Sequence, residues 1–226
     1  MSNDLFPALA GLKWDVTVGL ERFTLKQSAA NPRKETRVSL GSDSLHHFEC
    51  EYEFLRERIN DASNQPIGVN ELRKLMGFFN AHADFDSFLL SLPTLTQNPD
   101  DGVVQRQPLT PDVNGVAPLV VTRDIYDENI YELARKDDGN PTVPLLYMGD
   151  DPMLPGTDYT IQGPGYAAAG VAYPGLVAVI SKAITGPITA DIGWCYRVRF
   201  EQGRQDFKAF AFMLWNAQQI QMVERD

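Results

Sequence analysis

Residues 70–93 (NELRKLMGFFNAHADFDSFLLSLP) carry apolar positions first at helical and then at strand spacing. Val69, Leu72, Leu75, Met76 and Phe79 fall close to the i, i+3, i+4, i+7 spacing that buries one helix face, leaving Arg73, Lys74, Asn80 and His82 to water. The pattern predicts a helix over about residues 69–82, capped by Asn70, with Glu71 near the positive end of its dipole. A strand over residues 83–92 follows, carrying Phe85, Phe88, Leu89 and Leu90. A helix with one apolar stripe requires a sheet to cover.

Most of the remaining chain reads as strand. Residues 5–14, with Pro7 and Gly11 among apolar neighbours, suit an extended arm or edge strand, and such an arm has no evident place in a two-layer monomer core. Over residues 16–26 the apolar parity slips between Leu20 and Phe23, as a bulge near Glu21 would produce. Residues 28–37 are polar and predict a turn or exposed loop. In HHFECEYEFL, His47, Glu49, Glu51 and Glu53 alternate with Phe48, Cys50, Tyr52 and Phe54, the pattern of an antiparallel strand wet on one side.

Residues 94–115 are rich in Gln, Asn, Asp and Pro and predict an excursion with little regular structure, within a loop-rich stretch at about 94–175 of a single domain spanning 1–226. Short strands are expected at 116–125, 129–134, 144–148 and 158–162. The last third is strongly β: 176–184, 188–192 and 195–200 are branched or aromatic and punctuated by Gly175, Gly186 and Gly193. Residues 202–206 read as a hairpin turn. Residues 207–224 alternate with both faces apolar, as in a strand covered on both sides.

Charge and chemistry narrow the function. Thirty acidic against twenty basic residues give a net charge of −10, unsuited to neutralising phosphates, and the short clusters Arg33/Lys34/Arg37 and Arg197/Arg199/Arg204 read as solvated or ion-paired. Cys50 and Cys195, far apart and without metal-ligand spacing, read as buried free thiols. The glutamate row and the pair Asp150/Asp151 could in principle supply an acid and a base, but a polar strand face looks the same. His46, His47 and His82 are explained as surface residues. Residues 163–170 (GPGYAAAG) lack the phosphate-loop spacings, with no long helix after them. No catalytic, cofactor or metal residue is therefore assigned. The start of the chain lacks a signal-peptide pattern, and no apolar run reaches membrane-spanning length.

Three stretches in order, FPALAGLKWDVT, ELRKLMGFFNAHADFDSFLLSLP and ITADIGWCYRVRFEQGRQDFKAFAFMLW, resemble the distal tail proteins of long non-contractile-tailed bacteriophages and of related gene transfer agents. NGVAPLVVTR and GTDYTI echo the family's middle strands. Ser91 and Leu92 stand where an acidic residue commonly precedes Pro93, and residues 94–115 match poorly. The resemblance implies a tail-tube-like β-sandwich with one packed helix and long inter-strand loops. It also implies a structural, non-enzymatic role: a hexameric ring in the virion tail, assembled in the host cytoplasm. Such a ring joins the tail tube to the baseplate hub or tail tip, near the tape measure, and offers fibre proteins a platform. A carbohydrate-binding sandwich, stacking sugars on Trp14, Trp194 or Trp215, is the alternative.

Overall fold

The computed structural model describes residues 2–13, 16–22, 24–28, 35–39, 44–57, 70–83, 85–91, 104–123, 126–135 and 140–225. Among them are twenty strands and one helix, so the chain is mainly β. It divides into two compact units, one of Met1–Ser2, Phe6–Phe88 and Val198–Asp226, the other of Asn3–Leu5 and Leu89–Arg197.

In the first unit, the parity slip near Glu21 is a change of partner rather than a bulge. Strand β1 (Thr17–Glu21) joins the main sheet, whereas β2 (Thr24–Ser28) pairs with β3 (Glu35–Ser39), Thr24 opposite Ser39. The loop expected over 28–37 is thus strand at both ends, because a ladder needs backbone groups and not apolar side chains; 29–34 lie outside the described residues. Strand β4 (Leu45–Arg56) shows the expected alternation as far as Tyr52, with His46, Phe48, Cys50 and Tyr52 buried, Glu49 and Glu51 half-buried and Glu53 exposed; it then slips beside an irregularity in the ladder, so that Leu55 is buried and Phe54 only half-buried. Antiparallel β1 runs beside it, Thr17 opposite Glu49 and Glu21 opposite Leu45.

Helix α1 (Glu71–His82) forms where its pattern predicts, and the Asn70 side chain accepts the Arg73 N–H at 2.8 Å. Its buried stripe is turned from the expected one. Leu72 and Leu75 are buried, but Met76 is 40% exposed and His82 only 2% exposed. Aromatic packing decides this: the His82 ring lies 4.3 Å from Phe78 and 5.3 Å from Phe88, centroid to centroid. Val69 lies outside the described residues. Strand β5 (Phe88–Leu90) is fully buried but shorter than expected, and Phe85 is exposed in the turn before it.

The apolar N-terminal stretch edges the sheet as expected over residues 11–13 but, against expectation, also enters the core. Phe6 is buried among Tyr52, Phe78, Phe88 and Phe200, with ring centroids 5.9–6.4 Å away. Leu12 bridges Tyr52 antiparallel, so residues 11–13 edge β4 beyond the end of β1. Gly11 is required there: a Cβ would meet the Phe54 carbonyl oxygen at 1.8 Å.

In the second unit, β6 (Val104–Leu109) occupies part of the stretch expected to lack structure. It is held by a sheet ladder despite its polar sequence, while 92–103 lie outside the described residues. Next come β7 (Val116–Pro118), the hairpin of β8 (Val120–Arg123) and β9 (Tyr126–Asn129), and β10 (Glu132–Leu133). Strands β11 (Leu145–Met148), β12 (Asp151–Pro152), β13 (Tyr159–Gln162), β14 (Ala167–Ala168) and β15 (Val171–Ala172) follow. The strongly apolar β16 (Val177–Ile180) and β17 (Ile188–Ile192) each sit between two partners, in the orders β13-β16-β7 and β11-β17-β6.

Strand β18 (Trp194–Phe200) carries the chain back to the first unit, where Val198 to Phe200 pair with the end of the last strand. The expected turn at 202–206 and single strand at 207–224 are exchanged in position. Strands β19 (Phe207–Ala211) and β20 (Leu214–Glu224) form a hairpin turning at Phe212 and Met213. Residues 202–206 merely interrupt β18 and β19, which lie end to end along one edge of β20. Four of the five β19 residues are consequently exposed, not covered on both faces.

Candidate subunit interface

Within a seven-stranded sheet, β1, β4, β20 and β19 follow one another, each antiparallel to the next, and β18 shares with β19 the same edge of β20. Neither β1 nor β19 has a strand partner on its outer side among the described residues. Both are five residues long and expose an apolar side chain, Leu20 at 68% and Phe210 at 52%. An open edge presents unpaired N–H and C=O groups, a template for another chain.

Side-chain contacts to carboxylates brace this sheet from within. His46 Nδ1 lies 2.6 Å from Glu224 Oε2, whose oxygen also accepts the His46 N–H at 3.1 Å. His47 Nε2 lies 2.8 Å from Glu21, tying edge strand β1 to β4. Lys13 Nζ reaches Glu51 at 3.2 Å. Where β4 meets the helix, Arg56 donates through Nε and Nη2 to the carboxylate of Glu71, which it holds below the ordinary carboxylate range.

The residues singled out in the sequence do not converge on a reaction centre. Glu51 is occupied by Lys13, while Asp150 and Asp151 are exposed at a turn of the second unit. The histidines are not surface residues as expected: His46 and His82 are buried and His47 is half-buried, because each packs against a carboxylate or an aromatic ring. Residues 163–170 turn back into the β14–β15 hairpin with Gly165, Ala169 and Gly170 at positive φ, and no helix follows to aim N–H groups at a phosphate. Trp194 is buried and Trp215 is half-buried with its indole N–H donating to Glu57, so neither offers an open stacking face; Trp14 lies outside the described residues. Cys50 and Cys195 are free and buried. Among the described residues no group of three His, Cys, Asp or Glu could hold a metal ion, and no helix is long and apolar enough to cross a membrane.

Two features escaped the sequence pattern. The β19–β20 tip exposes Phe212 at 86%, although Phe and Met are poor turn residues; Met213 adopts φ +57°. In the second unit, Arg106 takes φ +55° at a bulge opposite Asp191. Its N–H donates to Asp191 Oδ1 at 2.8 Å, and its guanidinium lies 3.7 Å over the Tyr147 ring, whose hydroxyl donates to Asp191 Oδ2 at 2.9 Å. These three side chains staple three strands. No short-range signal announces either feature, since both depend on which strands become neighbours.

Compared with models of known protein families the chain matches none, and no curated protein matches it.

Proposed function

We propose that this protein is a structural component of a long non-contractile phage tail, a distal tail protein. In this reading it forms a hexameric ring that joins the tail tube to the baseplate hub or tail tip and supports neighbouring fibre proteins. The first unit would act as a tail-tube-like sandwich with its packed helix. The resemblance of three ordered stretches supplies the family and the ring size. One structural observation carries the reading: in the antiparallel run β1-β4-β20-β19, neither β1 nor β19 has a strand partner on its outer side among the described residues.

An even number of alternating strands has a geometric consequence. With β1 running one way, β19 runs the other, so β19 of one copy beside β1 of the next continues an antiparallel ladder. An odd number would force a parallel seam. The two edges differ, so the contact is head-to-tail and generates a ring where its rotation closes. Strand β1 lies opposite residues 45–49 of β4 and β19 opposite the start of β20, at the other end of the sheet, so this seam requires neighbouring copies to be shifted along the strands, as strands tilted to the ring axis allow. An acidic lining lets DNA pass without adhering.

Sedimentation or native mass spectrometry over rising concentration, with negative-stain imaging and with purified tube and hub proteins added, tests the proposal. Six-fold rings, alone or on those partners, are expected. A chain that remains monomeric under all these conditions overturns it. Glycan-array binding by that monomer would favour the carbohydrate-binding alternative.

A further inference from the structure

We propose that the β19–β20 tip of one copy seats on the outer face of helix α1 in the next copy. Phe210 and Phe212 pack against Met76 there, and Glu57 faces Arg73 and Lys74. The contact rests on the ring reading and adds to the edge seam a second point of attachment.

Scattered exposed apolar residues need no explanation, but these are concentrated. Phe210, Ala211 and Phe212 are consecutive and exposed at the end of an open edge strand. The turn uses Phe212 and Met213, with Met213 at φ +57°, where Gly, Asn or Asp would serve the backbone better. A turn built from poorer turn residues indicates that the side chains themselves have a use.

The receiving face is positively charged. Arg73, Lys74, Met76 and Gly77 are all exposed on α1, and nothing lies within 4 Å of a Cβ built on Gly77. Neither Arg73 nor Lys74 has an ion-pair partner among the described residues, on a chain whose net charge is −10. The tip brings the opposite charge. Glu57 is exposed, its N–H donates to the Met213 carbonyl at 3.0 Å, and its carboxylate accepts from Trp215. An apolar tip with an acid beside it thus complements an apolar face with two cations beside it.

Position agrees with chemistry. Leu214, at the tip, lies opposite Arg56, and Arg56 holds Glu71 in the first turn of α1. Tip and helix start therefore lie at the same end of the sheet.

The test uses the full chain and measures ring dissociation by native mass spectrometry. Phe212→Ser removes an exposed side chain without touching the core, and is expected to weaken assembly roughly thirty-fold or more, as for loss of an aromatic anchor. Lys74→Glu and Glu57→Lys are each expected to weaken it, and their combination to restore it. A ring unchanged by Phe212→Ser overturns this contact and leaves the ring reading standing. Loss with Phe212→Ser but no rescue by the charge exchange overturns the helix face as receptor. A wild-type chain that never assembles, alone or on its partners, overturns both readings together.

Discussion

Arg56, the last residue of β4, and Glu71, the first residue of α1, clasp one another. Arg56 Nε donates to Glu71 Oε2 at 2.9 Å, the Arg56 backbone N–H to the same oxygen at 3.0 Å, and Nη2 to Oε1. Glu71 is buried, at 5% exposure, so its charge depends on these donors.

Replacing Glu71 by Gln is expected to cost about 1–3 kcal/mol at neutral pH, the range for leaving hydrogen-bonding groups imperfectly paired. Hydrogen bonds from the Arg56 side chain lower the Glu71 pKa in the folded state. The stabilisation is therefore fully present above the unfolded carboxyl pKa of about 4.3 and is lost as pH falls through the lower folded value. Thermal unfolding of wild type and Glu71→Gln between pH 7 and pH 3 should converge toward the acid end. Parallel pH profiles would remove the charged clasp.

Phe88 is fully buried, with rings of Phe78 and Phe200 at 5.0 and 4.7 Å. Phe88→Ala is expected to cost about 3–5 kcal/mol in denaturant unfolding, as for other large core truncations. Phe79, half-buried with one ring neighbour at 4.8 Å, should cost clearly less. Equal losses would contradict the rotated helix face.

Asp112 organises the turn before β7. Its carboxylate accepts from Tyr173 Oη at 2.7 Å, Val116 N at 2.9 Å and Asn114 N at 2.8 Å, which lowers its pKa to about 2. Asp112→Ala should lower the melting temperature and speed amide exchange at Asn114 and Val116. The wild-type turn should persist through the ordinary carboxylate range and loosen only near pH 2, because the lowered folded pKa keeps the carboxylate ionised until then. Exchange at those amides rising already near pH 4 would refute this.

Burial raises the Cys50 thiol to about 12 and the Cys195 thiol above its ordinary value. Neither should react with a thiol reagent at pH 8 in the folded protein, and both should react in denaturant. Rapid native labelling of Cys50 would show that β4 opens or is misplaced.

The amino-acid order by itself determined the elements whose signals are local. Asn70 capped the helix as its side chain dictates, the alternation around Phe48, Cys50 and Tyr52 produced a half-buried strand, and the branched runs in β16 and β17 became central strands. The mainly β class follows from those same periods. Tertiary structure alone decided which faces and edges found partners. Met76 and His82 both fit a helix, yet the rings of Phe78 and Phe88 buried the histidine and left the methionine outside. The apolar run over 207–214 could equally be a covered strand or an exposed hairpin. Pairing of β20 with β18, β19 and β4 chose the hairpin and left Phe212 in solvent. The physical reason is range: caps and periodicities act over one or two turns, whereas an open edge exists only once distant strands have taken, or declined, the places beside it.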